Sequence, residues 1–290
     1  MIEVTLIYGF INSVMLALIA LGFGLTFGIS GVSNFAYGAF YVLAGYLVWI
    51  LINMLGLPFV IAAILAVIVT SLLGLALYRF VLLRLRGLVI SEVIATFAVG
   101  LAILEMFRYL GFIGHEYTVP VFTDGSILIG EQYVDHQRLW IVGIGIVLAI
   151  GLYLFTHHTK IGLAFRGIAQ DERTALSLGI NSDRIAGLSV AFGSGLAAIA
   201  AILILPLGQI AVNQGYDVLI NALAVCIIGG LGSTVGIVVA AFVIGYAQII
   251  TDSFYGPAWK IVVSLVAILL VLAFKPSGLF GKQKELEERI

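Results

Sequence analysis

The residues that could do chemistry in this chain are few and scattered. His157 and His158 are adjacent, so on a helix their rings diverge and cannot grip a metal as an i, i+4 pair does. His115 and His136 flank an acidic stretch without a nucleophile beside them. Gly193-Ser194-Gly195 sets a hydroxyl between glycines, but Ala197, Ala198, Ala200 and Ala201 follow, which reads as a helix face cut small for close packing rather than a nucleophile's turn. Gly278-Leu279-Phe280-Gly281-Lys282-Gln283 comes nearest to a phosphate loop, with the wrong spacing and no hydroxyl. Cys226 is the only cysteine, in an uncharged stretch, and reads as a small buried packing residue. The expectation is therefore a chain that is not an enzyme and carries no cofactor or metal of its own, whose work is binding and mechanical contact.

The elements that must position such contacts follow from composition. The 290 residues are 62% hydrophobic and 10% charged, far from the roughly 25% charged of soluble domains. At about 20 residues per crossing, this is material for roughly eight or nine membrane helices. A net charge of −1 lacks the basic footprint that nucleic-acid binding requires, so no nucleic-acid partner is expected; membrane lipid is. The fold class read from this is all-α: a polytopic helical bundle, one permease-like membrane domain over 1–290. The start of the chain lacks the basic region and cleavage site of a secretory signal, so the first hydrophobic segment is expected to persist.

From Val4 to Tyr78 there is no charged residue, which fits three passes near 4–28, 34–54 and 58–80. Further passes are expected near 89–112, 138–156 and 186–205, in the run 218–251 that glycines split near Gly229-Gly230-Leu231-Gly232, and over 259–274. Either nine passes, or eight with one glycine-broken segment re-entrant, satisfy the loop charges. Arg79, Arg84 and Arg86, the group Lys160, Arg166, Arg173 and Arg184, and the tail lysines Lys275, Lys282 and Lys284 mark cytoplasmic segments, so the C-terminus is expected in the cytoplasm. The loop 113–137, with Glu116, Asp124, Glu131 and Asp135, is expected outside. Glu105 and Arg108, spaced i, i+3 near the outer end of their pass, read as a self-paired couple, and Glu92 as an anchor near Arg84 and Arg86.

Two kinds of region stand out. The breaks in apolar helices supply polar backbone at membrane depth, and Ser30, Ser33, Asn34, Gly229, Gly230, Gly232 and Ser233 are candidates to line a translocation pathway. Glycines that merely let helices pack closely are the alternative. The other region is the stretch 157–185, which holds four of the 14 Lys/Arg residues and three of the 15 acidic ones. Asp171 can cap a short helix Glu172–Leu178, Gly179 can take its left-handed C′ position, and Ile180 is the apolar residue that follows. Such a helix would lie across the membrane face presenting Ala175, Leu176 and Leu178, either as an amphipathic surface helix or as a docking knob for a partner.

Arg166-Gly167-Ile168-Ala169-Gln170-Asp171-Glu172-Arg173-Thr174-Ala175-Leu176-Ser177-Leu178-Gly179-Ile180-Asn181 resembles the coupling-loop signature of branched-chain amino acid ABC-transporter permeases. Gly28-Ile29-Ser30-Gly31-Val32-Ser33-Asn34-Phe35-Ala36-Tyr37-Gly38-Ala39 is similar to that family's first broken helix, with Tyr37 where a histidine is expected, and Gly229 to Gly236 to its late glycine turn. The resemblance extends over nearly the whole chain. It implies the permease subunit of an importer of branched-chain amino acids in a prokaryotic inner membrane. The implied partners are cytoplasmic ATP-binding subunits, which use the ATP, a second homologous permease and an external solute-binding protein. It adds Tyr37 to the pathway candidates and assigns coupling to Arg166, Asp171, Glu172, Ala175, Leu178, Gly179 and Ile180. A urea or short-amide permease of the same family, and a stand-alone secondary transporter, are the other readings.

Overall fold

The computed structural model describes residues 2–31, 34–112, 117–230 and 232–281. Among them, six helices are long and apolar enough to cross a membrane: α1 (Ile2–Ser30), α3 (Phe59–Leu77), α5 (Val89–Tyr109), α6 (His136–His158), α9 (Ser182–Ile204) and α11 (Thr234–Tyr255). α3 runs on through a π-helical turn, Tyr78–Leu82, into the single turn α4 (Leu83–Leu85). Three more apolar helices are shorter: α2 (Tyr37–Asn53), α10 (Gln214–Gly229) and α12 (Trp259–Phe274). The positions match those expected from hydropathy, and the glycines at 229–232 do part α10 from α11.

The interior is built on α1, α2 and α9. Every residue of α2 from Tyr37 to Tyr46 is buried, so this helix is apolar and enclosed on all sides, as a helix inside a protein must be. Its 17 residues extend only ~25 Å at ~1.5 Å per residue, short of a ~30 Å hydrocarbon layer. The Tyr37 hydroxyl donates to the Ile19 carbonyl at 2.7 Å. After α1 ends, the chain therefore turns back and starts α2 beside the middle of α1.

Small residues let these helices approach. A β-carbon on Gly193 of α9 would fall 2.0 Å from Thr26 Oγ1 of α1, and Thr26 in turn donates to the carbonyls of Gly22 and Ser189, each at 3.2 Å. Ser194 of the same Gly-Ser-Gly run is fully buried against Gly74 of α3. That run is a helix contact. α1 and α11 interlock likewise, Ser13 against Gly245 and Gly9 against the Tyr246 ring. Cys226 is buried and free, its thiol donating to the Ala20 carbonyl at 3.4 Å.

The all-α expectation needs one correction. The acidic loop carries an antiparallel hairpin, β1 (Ser126–Ile129) and β2 (Gln132–Asp135), turned at Gly130 with φ +63. A local run of alternating and β-branched residues with a glycine turn sufficed to form it. The hairpin rests on the start of α1: Tyr8 donates to the Tyr133 carbonyl at 3.1 Å, and the Arg138 guanidinium sits 4.8 Å over the Tyr8 ring.

Candidate functional site

The stretch 157–185 is folded throughout. His157 ends α6 stacked on Tyr153, ring centroids 4.1 Å apart, and Thr159 then caps a new helix, α7 (Lys160–Gln170), by accepting from the Gly162 amide at 3.0 Å. α7 was not foreseen, although its apolar positions lie on one face. Gly162, Phe165 and Ile168 are buried, while Lys160, Leu163 and Arg166 stay exposed or partly so. A β-carbon on Gly162 would fall 2.0 Å from the Phe155 carbonyl, so the α6–α7 corner closes only with glycine there. Phe165 is completely buried among Leu25 of α1, Phe155 of α6 and the Ile185, Leu188 and Phe192 side of α9. α7 is thus pinned to three membrane helices at once.

Next comes α8 (Glu172–Ser177). Asp171 caps it as expected: Oδ1 accepts from the Thr174 amide at 3.3 Å, and Oδ2 accepts from the Thr174 hydroxyl. At its end Gly179 has φ +83, its amide donates to the Leu176 carbonyl at 2.9 Å, and the Ile180 amide to the Ala175 carbonyl at 3.1 Å. These are the paired bonds of a glycine-terminated helix. Asn181 then caps α9, accepting from the Arg184 amide at 3.0 Å. Arg86, from the turn after α4, reaches across to Asp183 and to Ser182 Oγ. This corrects the pairing expected for it with Glu92, which is buried at the start of α5.

The second correction is Ala175. It is 3% exposed, turned inward, and cannot be presented to a partner; Leu176 and Leu178 are exposed, at 51% and 77%. Helical periodicity over a single turn does not say which side faces the protein, and only the packing of α8 on α7 decided it. Of the remaining coupling candidates, Arg166, Asp171 and Gly179 are exposed and Ile180 is half-buried beside Gly167. The side chains of Glu172 and Ser30, and Ser33 altogether, lie outside the described residues.

The two glycine breaks come together. A β-carbon on Gly28 would fall 2.6 Å from Gly232 Cα. At the first break, Asn34 is 1% exposed; its Oδ1 accepts from the Ala36 amide at 3.1 Å, and its Nδ2 has no partner. Beside it Phe35, Val93, Phe97, Tyr216 and Leu219 border an apolar cavity of about 390 Å³. Tyr37 is fully buried, edge-on to Phe23. Gly38, one residue further, abuts the start of α10, where a β-carbon would fall 1.9 Å from the Gly215 carbonyl oxygen. At the second break, Gly229 faces Gly236, Ser233 caps α11 by accepting from the Gly236 amide at 3.0 Å, and Gly230 (φ +92) lies against Gly281. The segment 276–281 covers this turn, Leu279 and Phe280 donating to the carbonyls of Ile228 at 2.7 Å and Gly229 at 3.2 Å.

A polar group that charge counting passed over lies between α1, α10, α11 and α12. Gln248 Nε2 donates to Asn221 Oδ1 (3.1 Å) and Ser264 Oγ (2.9 Å), and Gln248 Oε1 accepts from Asn12 Nδ2 (3.0 Å). Lone carboxamides inside uncharged helices were the available signal. Glu105 and Arg108 pair at 2.6 Å as expected, and Arg108 also reaches Asn213. Among the described residues, no group of three or more His, Cys, Asp or Glu is placed to hold a metal ion.

Known proteins match this chain along its length. A family described as branched-chain amino acid transport system / permease component matches residues 5–272. The high-affinity branched-chain amino acid transport system permease protein BraD of Pseudomonas aeruginosa is 31% identical, over 92% of this chain and 91% of its own. The corresponding permease LivH of Escherichia coli is 29% identical, with 92% and 91% covered, and LivM of Salmonella typhimurium is 23% identical, with 90% of this chain and 67% of its own covered. Among solved structures, PsaBC from Streptococcus pneumoniae in complex with Fab superposes with a TM-score of 0.53 at 12% identity, covering 94% of this chain and 92% of that one, a likeness of fold.

Proposed function

This chain belongs to the permease-component family of branched-chain amino acid transport systems, and on that premise we propose that it is the membrane subunit of an ATP-driven importer of branched-chain amino acids. In this reading it crosses a prokaryotic inner membrane nine times, or eight with a re-entrant segment, with the N-terminus outside and the C-terminus in the cytoplasm. A second, homologous permease completes the pore, an external binding protein delivers the solute, and separate ATPase subunits supply the energy. The chain itself needs no cofactor.

The observation that carries the reading is the α7–α8 unit. Its inner face is locked to α1, α6 and α9 through Phe165, both ends of α8 are capped, and Leu176 and Leu178 project outward among basic residues. A rigid knob of this kind, held in a groove of an ATPase, passes domain closure to three membrane helices at once. The sequence has no phosphate loop, so the energy must enter through such a contact.

The test is uptake of radiolabelled leucine, and in parallel urea, into proteoliposomes holding the full complex. Replacing Leu176 and Leu178 together by Glu should cut uptake and transport-linked ATP hydrolysis at least tenfold with the helix content unchanged. If both activities survive, the coupling role is wrong; accumulation of urea but not leucine moves the chain to the short-amide branch. The head-on meeting of α2 and α10 at Gly38 and Gly215 favours a second reading, a stand-alone transporter with its path inside one chain. It requires uptake by the purified chain in a proton or sodium gradient.

A further inference from the structure

At the end of the bundle opposite α7–α8, a cavity of about 340 Å³ opens between α1, α10, α11 and the start of α12. Its size lies at the lower end of small-ligand sites, ~300–1,000 Å³. Its wall has two characters. Met15, Leu16, Ile19 and Ile204 form an aliphatic side, while Asp217, Asn221 and Lys260 form a polar one.

The polar side is only partly satisfied from within the protein. Gln248 is consumed: its amide donates to Asn221 Oδ1, Ser264 Oγ and the Lys260 carbonyl, and its oxygen accepts from Asn12. This lattice holds Asn221 Oδ1 with a second bond from Ser264 at 2.7 Å and leaves Asn221 Nδ2 without an acceptor. Asp217 lies one helical turn before Asn221 on the same face of α10. Among the described residues its carboxylate has no hydrogen bond and no ion pair. The neighbouring cation, Lys260, is instead 2.9 Å from Asp252. A carboxylate in a membrane helix, facing an apolar-walled cavity without a counter-ion, calls for a cationic group from outside.

We propose that this cavity binds a zwitterionic α-amino acid with an aliphatic side chain. The proposal rests on the importer reading and deepens it by placing a solute site in this chain. The ammonium pairs with Asp217. The carboxylate accepts from Asn221 Nδ2 and from Lys260, which turns from Asp252 toward it, and the side chain lies on Met15, Leu16, Ile19 and Ile204. Both charges of the solute and its branched end are then met at once.

The experiment is equilibrium binding of radiolabelled leucine to the full-length chain in lipid nanodiscs. Saturable binding is expected, with unlabelled valine competing, and with 3-methylbutylamine (leucine without its carboxylate) and 4-methylpentanoate (leucine without its ammonium) each at least tenfold weaker. Asp217→Asn should weaken leucine binding at least tenfold, and Met15→Trp, which fills the aliphatic side, should do the same with the polar side intact. Both variants are compared at equal thermal unfolding temperature. Absence of saturable binding to the native chain overturns the proposal, as does unchanged affinity in Asp217→Asn. Equal competition by the amine makes the cavity a plain cation site and overturns the zwitterion assignment. Uptake by the full complex keeps the two readings apart: ATP-driven leucine uptake with an unaltered KM in Asp217→Asn sinks the site and leaves the importer standing, whereas no leucine uptake by the native complex sinks the importer.

Discussion

The two glycine breaks touch each other at Gly28 and Gly232, yet they are built for opposite ends. The second is closed. Gly229 and Gly236 bring two backbones together, Gly230 receives the segment 276–281, and the carbonyls freed at the end of α10 accept from Leu279 and Phe280. The first is open. It returns the chain to the middle of α1, leaves an amide of buried Asn34 without a partner, and borders an apolar cavity of about 390 Å³. A run of glycine and serine in a membrane helix therefore does not by itself mark a pathway; what matters is whether the freed backbone is covered by the protein or left beside a space.

Substitutions can break this contrast or sharpen it. The largest effect is expected from Gly38→Ala, since its β-carbon would fall 1.9 Å from the Gly215 carbonyl oxygen and neither backbone can yield. A loss of about 3 kcal/mol or more, read as failure to recover monodisperse protein, would show that the re-entrant half-helix α2 is held by α10. Gly229→Ala sets a β-carbon 2.6 Å from Gly236 and should cost about 1–3 kcal/mol, seen as a lower unfolding temperature with transport per folded molecule preserved. Ending the chain after Gly278 removes the Leu279 and Phe280 bonds and should cost about 1–2 kcal/mol, again without a change in KM for uptake. The smallest stability effect belongs to Asn34→Ala, about 1 kcal/mol for the bond to the Ala36 amide. In that variant transport should fall at least tenfold. Equal losses of transport and stability at Asn34 would make the first break a packing device like the second.

Much of the loop 157–185 was legible because its signals are local. Asp171 and Gly179 act within a few residues of themselves, and the caps form as read. Ala175 was misread because its neighbours in space, not in sequence, decide which side of α8 is hidden. α7 was missed because attention went to charge, although Gly162, Phe165 and Ile168 are spaced at three residues along one face. Asn12, Asn221, Gln248 and Ser264 were passed over for the same reason, being polar without charge and scattered over four helices.

The sequence by itself determined which segments enter the membrane, where most of them end, and how the cytoplasmic loop caps its own helices. Long uncharged runs cannot stay in water, and capping groups reach only their nearest neighbours. Only the tertiary structure decided that α2 is enclosed, that the breaks at 28 and 232 meet while only one is sealed, and that Asp217 faces a cavity without a counter-ion. In lipid, apolar faces are nearly equivalent as far as burial is concerned, so lateral order rests on close packing and a few polar contacts between residues far apart in the chain, as Asn12 and Gln248 are.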